Sequence, residues 1–121
     1  MRKIIVLFAI LIIGTSAAKA QGSDVAGAKS KFIYNFTNFF QWPNSVRSGD
    51  FVIGVVGSDD LFYELKDYTK GKQVITQNIA VKKFSNASNA SDSHILYVSK
   101  YKVNQLDKLS KEDVKNTLII S

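Results

Sequence analysis

The chain has 121 residues, with no cysteine, one histidine, one proline and one tryptophan, and its 16 lysines and arginines outweigh 10 acidic residues for a net charge of +6. Lack of cysteine excludes disulfides, thiol catalysis, cysteine-ligated metal and a lipid-modified N-terminal cysteine. The basic residues are scattered singly, with no arginine cluster or basic helix, which argues against nucleic-acid binding.

Arg2 and Lys3 precede an uninterrupted apolar block, Ile4 to Ile13, and small residues then lead to Ala18-Lys19-Ala20. That order predicts a signal peptide over residues 1–20, cleaved after Ala20. The block is too short for a membrane-spanning helix, which needs about 20 apolar residues. The expectation is an exported protein with no stable membrane insertion after cleavage. Arg2, Lys3 and Lys19 leave with the signal, so the net charge falls from +6 to an ordinary +3. Residues 21–121 are enough for one domain, which must bury roughly 65% of its unfolded surface without help from disulfides.

Ser23 or Asp24 can cap a helix that opens at Val25. At 100° per residue, Val25, Ala28, Phe32, Phe36 and Phe39 share a stripe with Ile33 and Phe40 at its edge, and Lys31, Thr37, Asn38 and Gln41 lie opposite. The phenylalanine stripe is therefore expected in the core. Pro43 ends the helix by pushing Trp42 out of the α region. Tyr34, off the stripe, and Trp42, at the helix exit, remain as candidate partner contacts, set against the plainer readings of a surface tyrosine and a tryptophan folded over a sheet edge.

"FVIGVVG" (Phe51 to Gly57) reads as a strand buried on both faces, as in a parallel sheet. "SDD" then caps a short helix with Leu61, Leu65 and Tyr68 on one face, and "KGK" breaks it. A second strand covers Asn78 to Phe84 with Ile79 and Val81 pointing one way, and the polar connector Ser85 to Asp92 follows. "HILYVS" (His94 to Ser99) is a third strand. A helix is expected within Tyr101 to Leu109, where Val103, Leu106 and Leu109 recur, and "TLIIS" is a fourth strand. Alternation of strands and helices predicts a single layered α/β domain with a mostly parallel four-stranded sheet flanked by helices.

No catalytic constellation emerges. Gly54 and Gly57 do not make the G-x-G-x-x-G spacing of a dinucleotide loop, so Gly57 reads as a strand-to-helix turn. Asp59 and Asp60 suit a helix N-terminus, and no spaced oxygen set accompanies them to hold a metal. His94 begins its strand, away from the carboxyl ends where ligands of open α/β sheets gather, and reads as a locally hydrogen-bonded residue. Those carboxyl ends gather Ser58, Asp59, Ser99, Lys100 and Ser121, a possible rim for a small polar ligand. "NAS" at Asn86 and Asn89 carries no weight in a polar connector. No cofactor is expected.

In order, "AKSKFIYNFTNFFQWP", "FVIGVVGSDDLF", "GKQVITQNIAVKKF", "SHILYVS" and "TLIIS" resemble the YfiR/HmsC-like family of exported bacterial proteins, from about Ala28 to Ser121. Its most specific parts are the aromatic helix ending in Trp42-Pro43, the Gly71-Lys72 turn and His94-Ile95-Leu96. The resemblance implies a periplasmic regulator without catalysis, one that binds the periplasmic portion of an inner-membrane signalling protein. Best-known members restrain a diguanylate cyclase, limiting cyclic-di-GMP and biofilm formation, and an outer-membrane lipoprotein can draw them away. Others are fused to sensor kinases. Many relatives carry a cysteine where this chain has Ser93, so a redox switch is excluded here. Relatives also continue past the "TLIIS" strand with further strands and a helix, from which a C-terminally truncated domain over residues 21–121 is expected. The alternative function is an exported small-ligand-binding or sensor module with no cyclase partner.

Overall fold

The computed structural model describes residues 25–90, 92–110 and 114–121. The predicted signal peptide and the helix cap at Ser23 or Asp24 lie outside the described residues.

β1 (Phe51–Val56) is the centre of the sheet, as its continuous apolar run requires. It pairs in parallel with β3 (Gln77–Phe84) on one side and β4 (Ile95–Val98) on the other, and β5 (Leu118–Ile120) continues in parallel beyond β4. A two-residue strand, β2 (Gln73–Val74), runs antiparallel to β3, giving the order β2-β3-β1-β4-β5. Among the described residues the sheet is thus five-stranded and mixed, and the expected four-stranded sheet is corrected by one short hairpin strand. β2 is too short to show a period of two, and its turn has Ile75 and Thr76 where a glycine or asparagine would have announced a hairpin. Ile75 adopts φ +58°, the left-handed region that a β-branched residue enters only under strain.

Alternation along the strands divides the core in two. Phe51, Ile53 and Val55 of β1, Ile79 and Val81 of β3, Ile95 and Tyr97 of β4, and Leu118 and Ile120 of β5 share one face. Two helices cover it: α1 over residues 25–36, through Ile33, and α2 (Asp59–Tyr68), through Leu61 and Leu65. On the other face Val56, Leu96 and Val98 meet Phe84, Ala90, Leu106 and Leu109. Two 3₁₀ segments, Ala87–Ala90 and Val103–Lys108, lie on this side. The second stands where an α-helix was expected. Spacing of three, as in Val103, Leu106 and Leu109, also fits a helix of three residues per turn, which places those positions in line. Gly54 leaves this face room to close, since a side chain there would strike Ser93, Leu96 and Phe84.

α1 is seated differently from expectation. Its buried residues are Ala26, Ser30 and Ile33, with Thr37 just past its end, whereas Val25, Ala28, Phe32, Phe39 and Phe40 are exposed and Phe36 is only half-buried. The buried face is rotated by roughly 120° from the phenylalanine stripe at 100° per residue. The hydroxyls that made this face look polar are satisfied within the helix. Ser30 Oγ donates to the Ala26 carbonyl at 2.9 Å and Thr37 Oγ1 to that of Tyr34 at 2.6 Å. The helix then tightens into i→i+3 bonds from Thr37, Asn38 and Phe39 before Pro43.

His94 fastens the far end of the sheet. Its Nδ1 accepts from the Val52 amide at 3.0 Å, which leaves the proton on Nε2 to donate to the Val46 carbonyl at 2.6 Å. The ring stacks on Phe51 with centroids 4.5 Å apart. Both nitrogens are engaged in structure, in agreement with the locally bonded reading. Among the described residues, no helix is long and apolar enough to cross a membrane.

Candidate functional site

Two features stand out, and they share a residue. The first is the outer face of α1 and the turn after it. Phe32 is 64% exposed and Phe39 78%, with Phe40 close to half. The rings form a ladder: Phe32 meets Phe36 edge-on at 4.8 Å, Phe36 meets Phe40 at 6.1 Å, and Phe40 meets Trp42 at 6.3 Å. At Trp42 the ladder enters the core. That indole is only 6% exposed, lies edge-on to Phe51 at 5.1 Å, and donates from Nε1 to the Thr37 carbonyl at 3.4 Å. Trp42, a candidate partner contact set against an indole folded over the sheet, is buried in the core beside Phe51. Arg47 Nε donates to its carbonyl at 2.6 Å and holds the turn after Pro43 closed.

Tyr34 is half-buried on another side of α1. Its ring meets Tyr68 edge-on at 5.8 Å, the Lys72 ammonium lies 5.8 Å from its centroid, and its hydroxyl reaches the Gln73 carbonyl at a long 3.5 Å. Tyr34 and Trp42 are not brought together. The phenylalanines between them in sequence form the exposed surface, and assigning them to the core hid it.

The second feature is a cavity of about 650 Å³ at the carboxyl ends of β1, β4 and β5. From β1 at the centre the chain crosses to β3 on one side and returns to β4 on the other, and crevices at such reversals hold the ligands of open α/β sheets. Gly57 and Ser58 follow β1, Ser99, Lys100 and Tyr101 follow β4, and Ile120 and Ser121 end β5, with Lys29, Phe32 and Ile33 of α1 forming the opposite wall. Gly57 has φ +82°, and a side chain there would collide with Ser99 Oγ and Lys102. The glycine thus serves both the turn and the close approach of the two loops.

Of the expected rim, the cavity gathers Ser58, Ser99, Lys100 and Ser121. Ser58 is also the cap of α2, accepting from the Leu61 amide at 3.3 Å, a role expected of the aspartates as well. Asp59 is not among the residues lining the cavity. Its carboxylate sits 2.8 Å from the Lys83 ammonium of β3, and that hydrogen bond and charge raise the lysine's pKa. Lys29, Tyr97 and Tyr101 were missed. Only the sheet order brings α1 over the ends of β4 and β5, and sequence periodicity does not carry sheet order.

Among the described residues, no group of three or more histidines, aspartates or glutamates is placed to hold a metal ion. No curated protein and no solved structure matches the chain. A family model described as YfiR/HmsC-like matches residues 26–121, from the buried face of α1 to the end of β5. The match spans both features of the site, and the chain belongs to the YfiR/HmsC-like family.

Proposed function

We propose that this chain is a non-enzymatic periplasmic regulator that binds the periplasmic portion of an inner-membrane signalling protein, a diguanylate cyclase in the first instance. The observation that carries this reading is the exposure of Phe32 on α1 and of Phe39 and Phe40 in the turn after it, with half-buried Phe36 linking Phe32 to Phe40. A run of phenyl rings costs solubility when left in water, and aromatic side chains of this kind concentrate the energy of protein interfaces. Trp42 supports the ladder from beneath, and Tyr34, on another side of α1 beside Tyr68 and Lys72, is a separate secondary contact. Membership in a family of regulators supports the same reading, as does the engagement of both His94 nitrogens in fold-making hydrogen bonds.

The test uses the chain exported with its own leader beside the membrane cyclase, with cellular cyclic-di-GMP as readout. The parent chain is expected to lower cyclic-di-GMP and to be captured by the cyclase's periplasmic portion. Phe32→Ser/Phe39→Ser, exported at the same level with the same melting temperature, is expected to do neither. Equal restraint by the parent and the variant would remove the aromatic face from recognition, and no restraint by the parent would overturn the regulator reading for this cyclase.

A further inference from the structure

The β3 side of the sheet takes no part in either feature of the site. β2 accompanies β3 only along Gln77 and Asn78, and β3 then runs on from Ile79 to Phe84 with no further strand beside it among the described residues. We infer that this open edge takes up an extended acidic peptide segment as an added strand. The inference holds whether or not the aromatic face binds a cyclase.

Backbone direction comes first. The His94 amide donates to the Val52 carbonyl at 2.9 Å and the Ser99 amide to the Val56 carbonyl at 3.0 Å, so Val52 and Val56 turn their polar groups towards β4. These groups alternate along a strand, and those of Phe51, Ile53 and Val55 therefore turn towards β3. In a parallel pair, a residue that bonds across the ladder stands opposite one whose own groups face away. The residues opposite are Ile79, Val81 and Lys83. Ile79 lies beside the end of β2, which leaves Val81 and Lys83 with amides and carbonyls directed out from the sheet. Such a row is a ready template for another chain, and strand addition draws its affinity from these main-chain bonds.

The surroundings select the kind of chain. A groove of about 660 Å³ lies between this edge and α2. Half-buried Ile79 and Val81 and exposed Tyr63 give it apolar walls. Lys66, Lys70 and Lys72 line it as well, against a single acidic residue that does, Asp67. Lys82 is exposed on the opposite face of β3, and Lys83 bridges to Asp59 at the start of α2 at 2.8 Å. An added strand sends alternate side chains to the two faces of the sheet. One set would enter the groove and the other would lie beside Lys82, so acidic residues find lysines on either face. A second copy of this chain is a poor occupant, because its own β3 would bring Lys82 and Lys83 to the same lysines, and edge lysines oppose such pairing.

The experiment gives the purified chain the end-blocked hexapeptide EVEVEV, with amide hydrogen exchange read by NMR and affinity by calorimetry. In the free chain, the amides of Val81 and Lys83 should exchange fast and those of Ala80 and Lys82, which face β1, slowly. The peptide should slow Val81 and Lys83 and leave their neighbours as they were. Its fully N-methylated form keeps every side chain but has no donor. That form should bind at least about tenfold more weakly, or 1.4 kcal/mol, the scale of one or two net hydrogen bonds. The lysine counterpart KVKVKV should bind more weakly as well. Lys83→Pro removes one outward amide, a change that edge strands tolerate, and should abolish peptide binding with the β1 shifts in place. Lys83→Ala loses the same ion pair with Asp59 and should bind as the parent does. No binding of EVEVEV, equal affinity for the methylated or lysine peptide, or slowing of the same amides by raising the chain's own concentration would each overturn the assignment.

Discussion

On the side of α1 that rests on the sheet, the buried side chains are Ala26, Ser30 and Ile33, while on the side turned to solvent stand Phe32 and Phe39, with Phe36 and Phe40 beside them. The small residues are against the core and the large ones are in water. Size explains the seating better than hydrophobicity does. Ile33 supplies the large apolar contact with the cluster of Phe51, Ile53 and Val55, and alanine and serine are the small residues that share its buried side. α2 shows the other arrangement, seating Leu61 and Leu65 directly on the same sheet face. One helix seats large apolar residues on the sheet, and the other buries small residues beside Ile33 and leaves Phe32 exposed.

The largest effect that sharpens this contrast is at Trp42, where the aromatic ladder passes from solvent into the core. Trp42→Ala should destabilise by about 3–5 kcal/mol, the range for a buried aromatic truncated to alanine, in chemical denaturation. A loss below about 1 kcal/mol, within the ordinary spread of point mutants, would place the indole at the surface with the phenylalanines.

Close approach is tested next. Ser30→Leu adds methylenes to a face with no room for them, and overpacking of this kind should cost about 1–3 kcal/mol. If α1 could roll to seat its phenylalanines, the leucine would instead be tolerated and the melting temperature would hold.

The smallest effect separates size from polarity at the same position. Ser30→Ala removes the bond to the Ala26 carbonyl but improves helix propensity, and these terms of about 1 and 0.5 kcal/mol nearly cancel. Its stability should stay within about 1 kcal/mol of the parent. A larger loss would mean that the hydroxyl, and not its small volume, holds the helix down.

These positions also mark what the sequence could reveal. β1, β3, β4, β5 and α2 were legible because an apolar run or a helical stripe coincides with the face that is buried, as with Ile79 and Val81 in register with Phe51 and Ile53. α1 was legible as a helix but not in its orientation. A periodic stripe marks where apolar residues lie, and it marks the core only when no second apolar surface competes. Thr37, placed opposite the stripe, is buried because the carbonyl it bonds belongs to its own helix. At the cavity, the rule that ligands gather at strand carboxyl ends named Ser58, Ser99 and Lys100, which line it. Asp59, named by the same rule, stands outside the lining, because strand position does not reveal its ion pair with Lys83 of β3. Lys29 and Phe32 could be found only once the strand order had placed β4 and β5 beneath α1.

The central claim is that α1 is anchored by its small-residue face and carries its phenylalanines outward. Urea denaturation of two variants side by side tests it most directly: Ile33→Ala on the buried face and Phe32→Ser/Phe39→Ser on the exposed one. Ile33→Ala should lose about 2–5 kcal/mol, while the double phenylalanine variant should remain within about 0.5 kcal/mol per site of the parent. The reverse order, with Ile33→Ala tolerated and the double variant unfolded, would show that the phenylalanines are the core and that α1 sits the other way round.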